Sequence, residues 1–242
     1  MKTSPVAQLI SLARHKMVRV QDPIHGIDHV ERVVGHVEQL CAEIGVSKEQ
    51  KDAVLLAAWW HDVSRNMSRK PSLVWMPLVD DFFSALLLWF FTIRYGLFGS
   101  VAGIATRLVF CKGLGTGAFL TRVLLRKRTR VLLDILKDAD GLDLLHIDRV
   151  QKLHELVGGS RTYQYGYRVH NWWCLTSKQL HMRTRAARKI MEEIICRFLA
   201  WLKKEAIMLW HKKLFGAHWV DKNLQKWYDL LAQIQFLNRA GA

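Results

Sequence analysis

Between Phe82 and Thr106 the chain reads FFSALLLWFFTIRYGLFGSVAGIAT, 25 residues with Arg94 as their only charge. A run like this cannot face water around its whole circumference; it enters lipid or packs on other apolar surface. About 20 apolar residues suffice for a transmembrane helix, so the length permits a span. The position of Arg94 argues against one. It falls mid-run, where a charge costs on the order of 2.5–3.5 kcal/mol on insertion scales. Gly96, Gly99 and Gly103 also invite a break. The run therefore predicts two shorter helices in a buried hairpin, with membrane or partner contact through residues 82–106 as the second option.

The flanking segments have helical periodicity. Residues 3–20 are amphipathic, with Pro5 where a first helical turn tolerates it. Val30, Val33, Val34, Val37, Leu40, Cys41 and Ile44 recur on one face, and Gly45 closes that run. Ser47 and Gln50 form a capping-box pattern ahead of KEQKDAVLLAAWWHD, an apolar helix ending on His61-Asp62. The segment after Thr121 predicts a helix that runs to about Ala139 and stops near Gly141. LLHIDRVQKLHELVGG is amphipathic. SRTYQYGYRVHNWW reads as a loop, followed by a long helix from about Ser177 to Trp210 and a short helical tail beyond Phe215. No stretch alternates like a strand. The expected class is all-α, with a domain over residues 1–205 that contains an apolar and basic insert at about 73–130. A C-terminal helical extension covers 206–242.

The net charge of +15 is unevenly spread. Residues 161–242 hold 15 Lys/Arg against 5 Asp/Glu, with six of the ten tryptophans. That composition suits a phosphorylated small molecule, anionic lipid or nucleic acid, whose backbone takes cations and whose bases stack on aromatics. The four cysteines form no CxxC pair, as expected of reduced thiols. The first sixteen residues lack the apolar core and cleavage site of a signal peptide, so a cytoplasmic location is expected.

Four residues at predicted helix ends form the one set able to carry metal chemistry: His29, His61, Asp62 and Asp140. Two imidazoles and two carboxylates suit a divalent ion of intermediate hardness (Mn, Fe, Co, Ni or Zn, with Mg also admissible). The His61-Asp62 pair is the most telling, because two polar groups closing AVLLAAWW are costly to bury without a partner.

The motifs HGIDHVERV (25–33), AAWWHDVSR (57–65) and LKDADGLDLL (136–145) resemble the HD-domain metal-dependent phosphohydrolases, in particular small stand-alone bacterial members. Gly158-Gly159 and LTSKQLHMRTRAARKIMEEIICRFL (175–199) extend the resemblance over roughly residues 1–205. The resemblance implies a helical bundle and a metal held by His29, His61, Asp62 and Asp140. It also implies hydrolysis of a phosphate ester, as in a nucleotidase or phosphatase. The departures matter too. Asp62 and Asp140 are 78 positions apart, further than in most relatives, with no histidine between them. One metal ion is therefore expected rather than two. Arg65 stands where some nucleotidase relatives have a glutamate, and a guanidinium cannot act as a base.

The expected roles follow. Asp62 orients the attacking water besides binding metal, and Arg65 projects from the helix end to grip phosphate. His25, one turn before His29, either faces the same cavity as a phosphate contact or proton donor, or is a structural histidine at the helix entrance. Lys112 and the GLGTG run (113–117) are weaker phosphate candidates. Three function classes stay open: a phosphohydrolase on a small phosphorylated molecule or nucleotide, a nuclease or nucleic-acid-binding protein, and a low-turnover scaffold acting through a partner or membrane. Oligomeric state is not legible.

Overall fold

The structure, a computed structural model, describes residues 4–67, 76–113, 117–176 and 180–240. Among these residues it is all-α, with twelve helices, one short 3-10 turn and no strand. The chain divides into two compact units, Met1–Asp140 and Gly141–Ala242. The boundary expected at residue 205 falls inside the second unit.

In the first unit, Ser4 caps α1 (Pro5–Met17), its hydroxyl accepting from the Ala7 N–H. α2 (Ile27–Ile44) buries Val30, Val33, Val37, Leu40 and Cys41 on one face and ends at Gly45 in the left-handed conformation. The capping box forms as expected: Ser47 and Gln50 satisfy each other's backbone N–H at 3.3 and 3.0 Å. α3 (Lys48–Trp60) is apolar around most of its circumference, and a helix of that kind belongs in the interior. It packs on α1, α2 and α5, burying Ala53, Val54, Leu56, Ala57, Ala58 and Trp60. The Trp60 indole N–H donates to the Leu9 carbonyl at 3.1 Å, tying α3 to α1. Because α3 is interior, the residues at its end, His61 and Asp62, are interior too.

A 3-10 turn follows (Val63–Met67). α4 (Met76–Arg94) and α5 (Ser100–Lys112) then pack against each other as the predicted hairpin. Gly96 and Gly99 have φ of 66° and 99°, a turn geometry that residues with a Cβ adopt only under strain. No helix among the described residues is long and apolar enough to cross a membrane. The hairpin is not wholly buried, however. Ser84, Ala85, Leu88 and Thr92 face the interior, whereas seven large apolar residues of α4 lie exposed. α6 (Gly117–Leu124) packs on α5, and α7 (Lys127–Asp143) follows. α7 ends at Asp143, two residues past the expected stop near Gly141. The glycine lies within α7, where Ala139 and Leu142 are fully buried, and packing of that kind outweighs the roughly 1 kcal/mol cost of a helical glycine.

The second unit holds α8 (Ile147–Gly159), α9 (Arg161–Thr176), α10 (Arg185–Leu202), α11 (Glu205–Phe215) and α12 (Ala217–Ala240). α9 replaces the expected loop. Its Tyr and Trp are modest helix formers, but Tyr167, Asn171 and Cys174 share a buried face, and tertiary packing supplies most helix stability. The expected single helix from Ser177 to Trp210 is two helices, α10 and α11, and residues 177–179 lie outside the described set. The tail is not short: α12 has 24 residues, beginning after Gly216 at φ 85°. Val157, Tyr167, Phe215 and Val220 form the core, with Trp210 and Trp219 packed on it. Trp201 and Trp227 are also buried, so four of the six C-terminal tryptophans serve packing.

Candidate metal centre

His29 occupies the first turn of α2, His61 caps the C-terminus of α3, and Asp140 lies near the end of α7. One ligand atom from each comes together, all within 4.8 Å of one another. The Nε2 atoms of His29 and His61 are 3.2 Å apart, and Asp140 Oδ1 is 3.4 and 3.8 Å from them. Asp62 flanks the pair, with Oδ2 3.6 Å from His29 Nε2 and Oδ1 3.6 Å from His61 Nε2.

The tautomer of His61 follows from its second nitrogen. Nδ1 is 2.7 Å from the Ala58 carbonyl, which can only accept, so Nδ1 carries the proton and Nε2 presents its lone pair to the cluster. Burial lowers the His61 pKa to about 4, against the pull of Asp62, so the ring is neutral at neutral pH. An imidazole fixed through one nitrogen by a backbone carbonyl, with the other turned to a second imidazole and to carboxylates, is compatible with the arrangement of metal-ligating histidines.

The charge inventory points the same way. Five carboxylates (Asp22, Asp62, Asp80, Asp81 and Asp140) share this region with two cations, Arg65 and Lys112. Burial opposes ionisation of Asp62, but Arg65, His61 and Lys112 outweigh it and hold the carboxyl well below the usual range. Asp140 is likewise lowered despite burial, chiefly by Lys112. Burial pushes Asp80 up to about 7, with Asp62 adding to the rise, and pushes Asp81 up to about 6. Asp62 Oδ2 is buried, with Arg65 Nε 3.2 Å away as an ion-pair partner but without a hydrogen bond of good geometry. A site with surplus carboxylate and two facing imidazoles fits a divalent cation.

Arg65 does not project outward to grip phosphate. It is buried, with NH2 2.7 Å from Asp80, NH1 3.1 Å from Asp22 and Nε 3.2 Å from Asp62. The 3-10 turn after Asp62 draws the side chain back under the cluster, so it orients Asp62 instead. Ser64 adds a hydrogen bond to the Asp80 carboxylate. Lys112 is engaged as well, at 3.0 Å from Asp140 Oδ2 and 3.5 Å from Asp81 Oδ1. Asp140 thus turns one oxygen to the imidazoles and the other to Lys112. Gly113 is described, but residues 114–116 of the GLGTG run lie outside the described set. His25 places Nδ1 3.1 Å from Asp22 Oδ2 and its ring edge-on to His29, with centroids 5.6 Å apart.

Three participants escaped sequence reasoning: Asp22, Asp80 and Asp81. Asp22 precedes Pro23 and looks like a turn former. The Asp80-Asp81 pair did carry a signal. Two acids opening an apolar helix raise the same burial cost as His61-Asp62 closing one. Set against models of protein families, against curated proteins and against solved structures, the chain matches none.

Proposed function

We propose that the chain is a metal-dependent phosphohydrolase of the HD-domain type. In this reading one divalent cation sits on His29, His61 and Asp140, with Asp62 beside them, and the substrate is a phosphomonoester or phosphodiester, most naturally of a nucleotide. The observation that carries the reading is the convergence of His29 Nε2, His61 Nε2 and Asp140 Oδ1, with the His61 ring locked by Ala58. When bound, a divalent cation supplies Lewis acidity to a water and offsets charge on phosphoryl oxygens.

The protein's own groups do the rest. Asp62, ionised and held by Arg65, orients the attacking water and receives its proton. Lys112 pins Asp140 and adds positive charge beside the incoming phosphate. His25, turned by Asp22, contacts the phosphate or the leaving group from the His29 side.

The test is metal analysis of the purified protein together with phosphate release from a generic ester in Mn or Co. Asp62→Ala abolishes turnover in this reading, and unchanged activity in that variant removes the site. Metal binding without turnover on any ester or nucleic acid moves the assignment to the scaffold class.

A further inference from the structure

We propose that the exposed face of α4 docks on the surface of an anionic lipid bilayer without crossing it. Phe82, Phe83, Leu86, Trp89, Phe90 and Ile93 are each 45–57% exposed. At about 100° per residue they share an arc of roughly 120° on one side of the helix. The opposite side is committed to the interior through Asp80, Ser84, Leu88 and Thr92. More apolar surface is exposed on the elements that follow. Phe98, in the turn after α4, is 72% exposed, and Phe119 and Val123 on α6 are 76% and 65% exposed. Phe82 touches Phe110 of α5 with ring centroids 5.9 Å apart, and α6 packs on α5, so the three helices are neighbours.

Scattered exposed apolar residues are ordinary, but a continuous aromatic row marks an interaction surface. Charge selects the occupant. From Phe82 to Leu133 the chain has eight Lys/Arg and no Asp or Glu. Lys112 is engaged at the carboxylate cluster, while Arg94, Arg107, Arg122, Arg126, Lys127 and Arg128 are exposed. Arg94 borders the α4 row, and Arg107 donates to the Leu124 carbonyl at the end of α6. Aromatic residues flanked by cations are what a headgroup layer with negative surface potential accepts. A second copy of this chain would bring the same cations against these. No helix among the described residues is long and apolar enough to span, so the contact is interfacial.

The test is co-sedimentation of the full chain with phosphatidylcholine vesicles, alone or containing about one third phosphatidylglycerol. The proposal expects at least about tenfold more protein on the anionic vesicles, lost at high salt. It expects Trp89→Ser with Phe90→Ser to lower binding about tenfold or more. Arg122→Gln with Arg126→Gln, which leaves the apolar row intact, lowers it as well. Both pairs are exposed, and an unchanged circular dichroism spectrum checks the fold. Absence of binding to either vesicle overturns the proposal, as does equal binding to both. A dimer seen by light scattering that Phe90→Glu dissolves, with no vesicle binding, assigns the face to a second copy and overturns it too.

Discussion

His61 in the first unit and His211 in the second are anchored alike. Each donates Nδ1–H to a backbone carbonyl of its own helix, Ala58 at 2.7 Å and Ile207 at 2.8 Å. Each is buried, and burial lowers each pKa to about 4. They differ at Nε2. His211 Nε2 accepts from the Tyr167 hydroxyl at 3.0 Å, which closes its hydrogen bonding inside a shell of Trp210, Phe215 and Trp201. His61 Nε2 faces a second imidazole and two carboxylates, an arrangement able to hold a cation. Burial and a shifted pKa therefore do not by themselves separate a core histidine from a candidate ligand; the partner of the second nitrogen does. A cavity of about 30 Å³ near His211, lined by Tyr167, Asn171 and Trp219 among others, admits a water or two and no substrate.

The contrast can be broken by substitution. His61→Ala should drop metal content and turnover to background, whereas His211→Ala should leave metal content per folded molecule unchanged; elemental analysis and phosphate release read both. Equal loss in the two variants would erase the distinction. Next in size is Arg65→Met, which leaves Asp22, Asp62 and Asp80 buried around no cation. Urea unfolding should show a loss of about 3–5 kcal/mol, the cost of breaking a buried ion cluster from one side.

The pH dependence is smaller. Below pH 6.5 the unfolded chain protonates at position 211 while the folded chain, with a pKa of about 4, does not. Stability from this group is therefore full above pH 6.5 and is lost as pH falls towards 4, by up to on the order of 3 kcal/mol. His170 shifts the same way. In the first unit His61 shifts the same way, Asp80 and Asp81, raised to about 7 and about 6, contribute in the opposite sense, and Asp22 and Asp140, lowered, lose their contribution only below the ordinary carboxylate range. Unfolding free energies between pH 7 and 4 should flatten in His211→Gln, and a slope equal to that of the unaltered protein would assign the effect elsewhere. The smallest change expected is Tyr167→Phe, at about 1–2 kcal/mol, for a lost hydrogen bond to a buried acceptor.

The class of fold was legible because 3.6-residue periodicity and caps are local: Ser47 with Gln50, and Gly45, announce themselves within a few residues. α9 was not legible, because its buried stripe of Tyr167, Asn171 and Cys174 is short and has a polar residue, Asn171, at its centre. Asn171 belongs inside only because Asn223 and the Trp227 indole, more than 50 positions away, bond to it at 2.8 and 3.0 Å. At the candidate centre, His29, His61, Asp62 and Asp140 stood out by chemistry and by position at helix ends, and the structure brings them together. The fate of Arg65 was hidden. Its three carboxylate partners lie at positions 22, 62 and 80, and only the packing of α4 beside the 3-10 turn shows that the side chain is enclosed.

The way α3 ends adds one more element to the centre. The last carbonyls of a helix have no intrahelical donors, and their aligned peptide dipoles place roughly half a negative charge at that terminus. The His61 ring satisfies one of these carbonyls, Ala58, and turns its other nitrogen to the cluster. The buried backbone of α3 thus behaves as an extra, proton-independent anion behind the two imidazoles. Substituting any one carboxylate leaves that field in place, which biases the spot towards cations even before a side chain is counted.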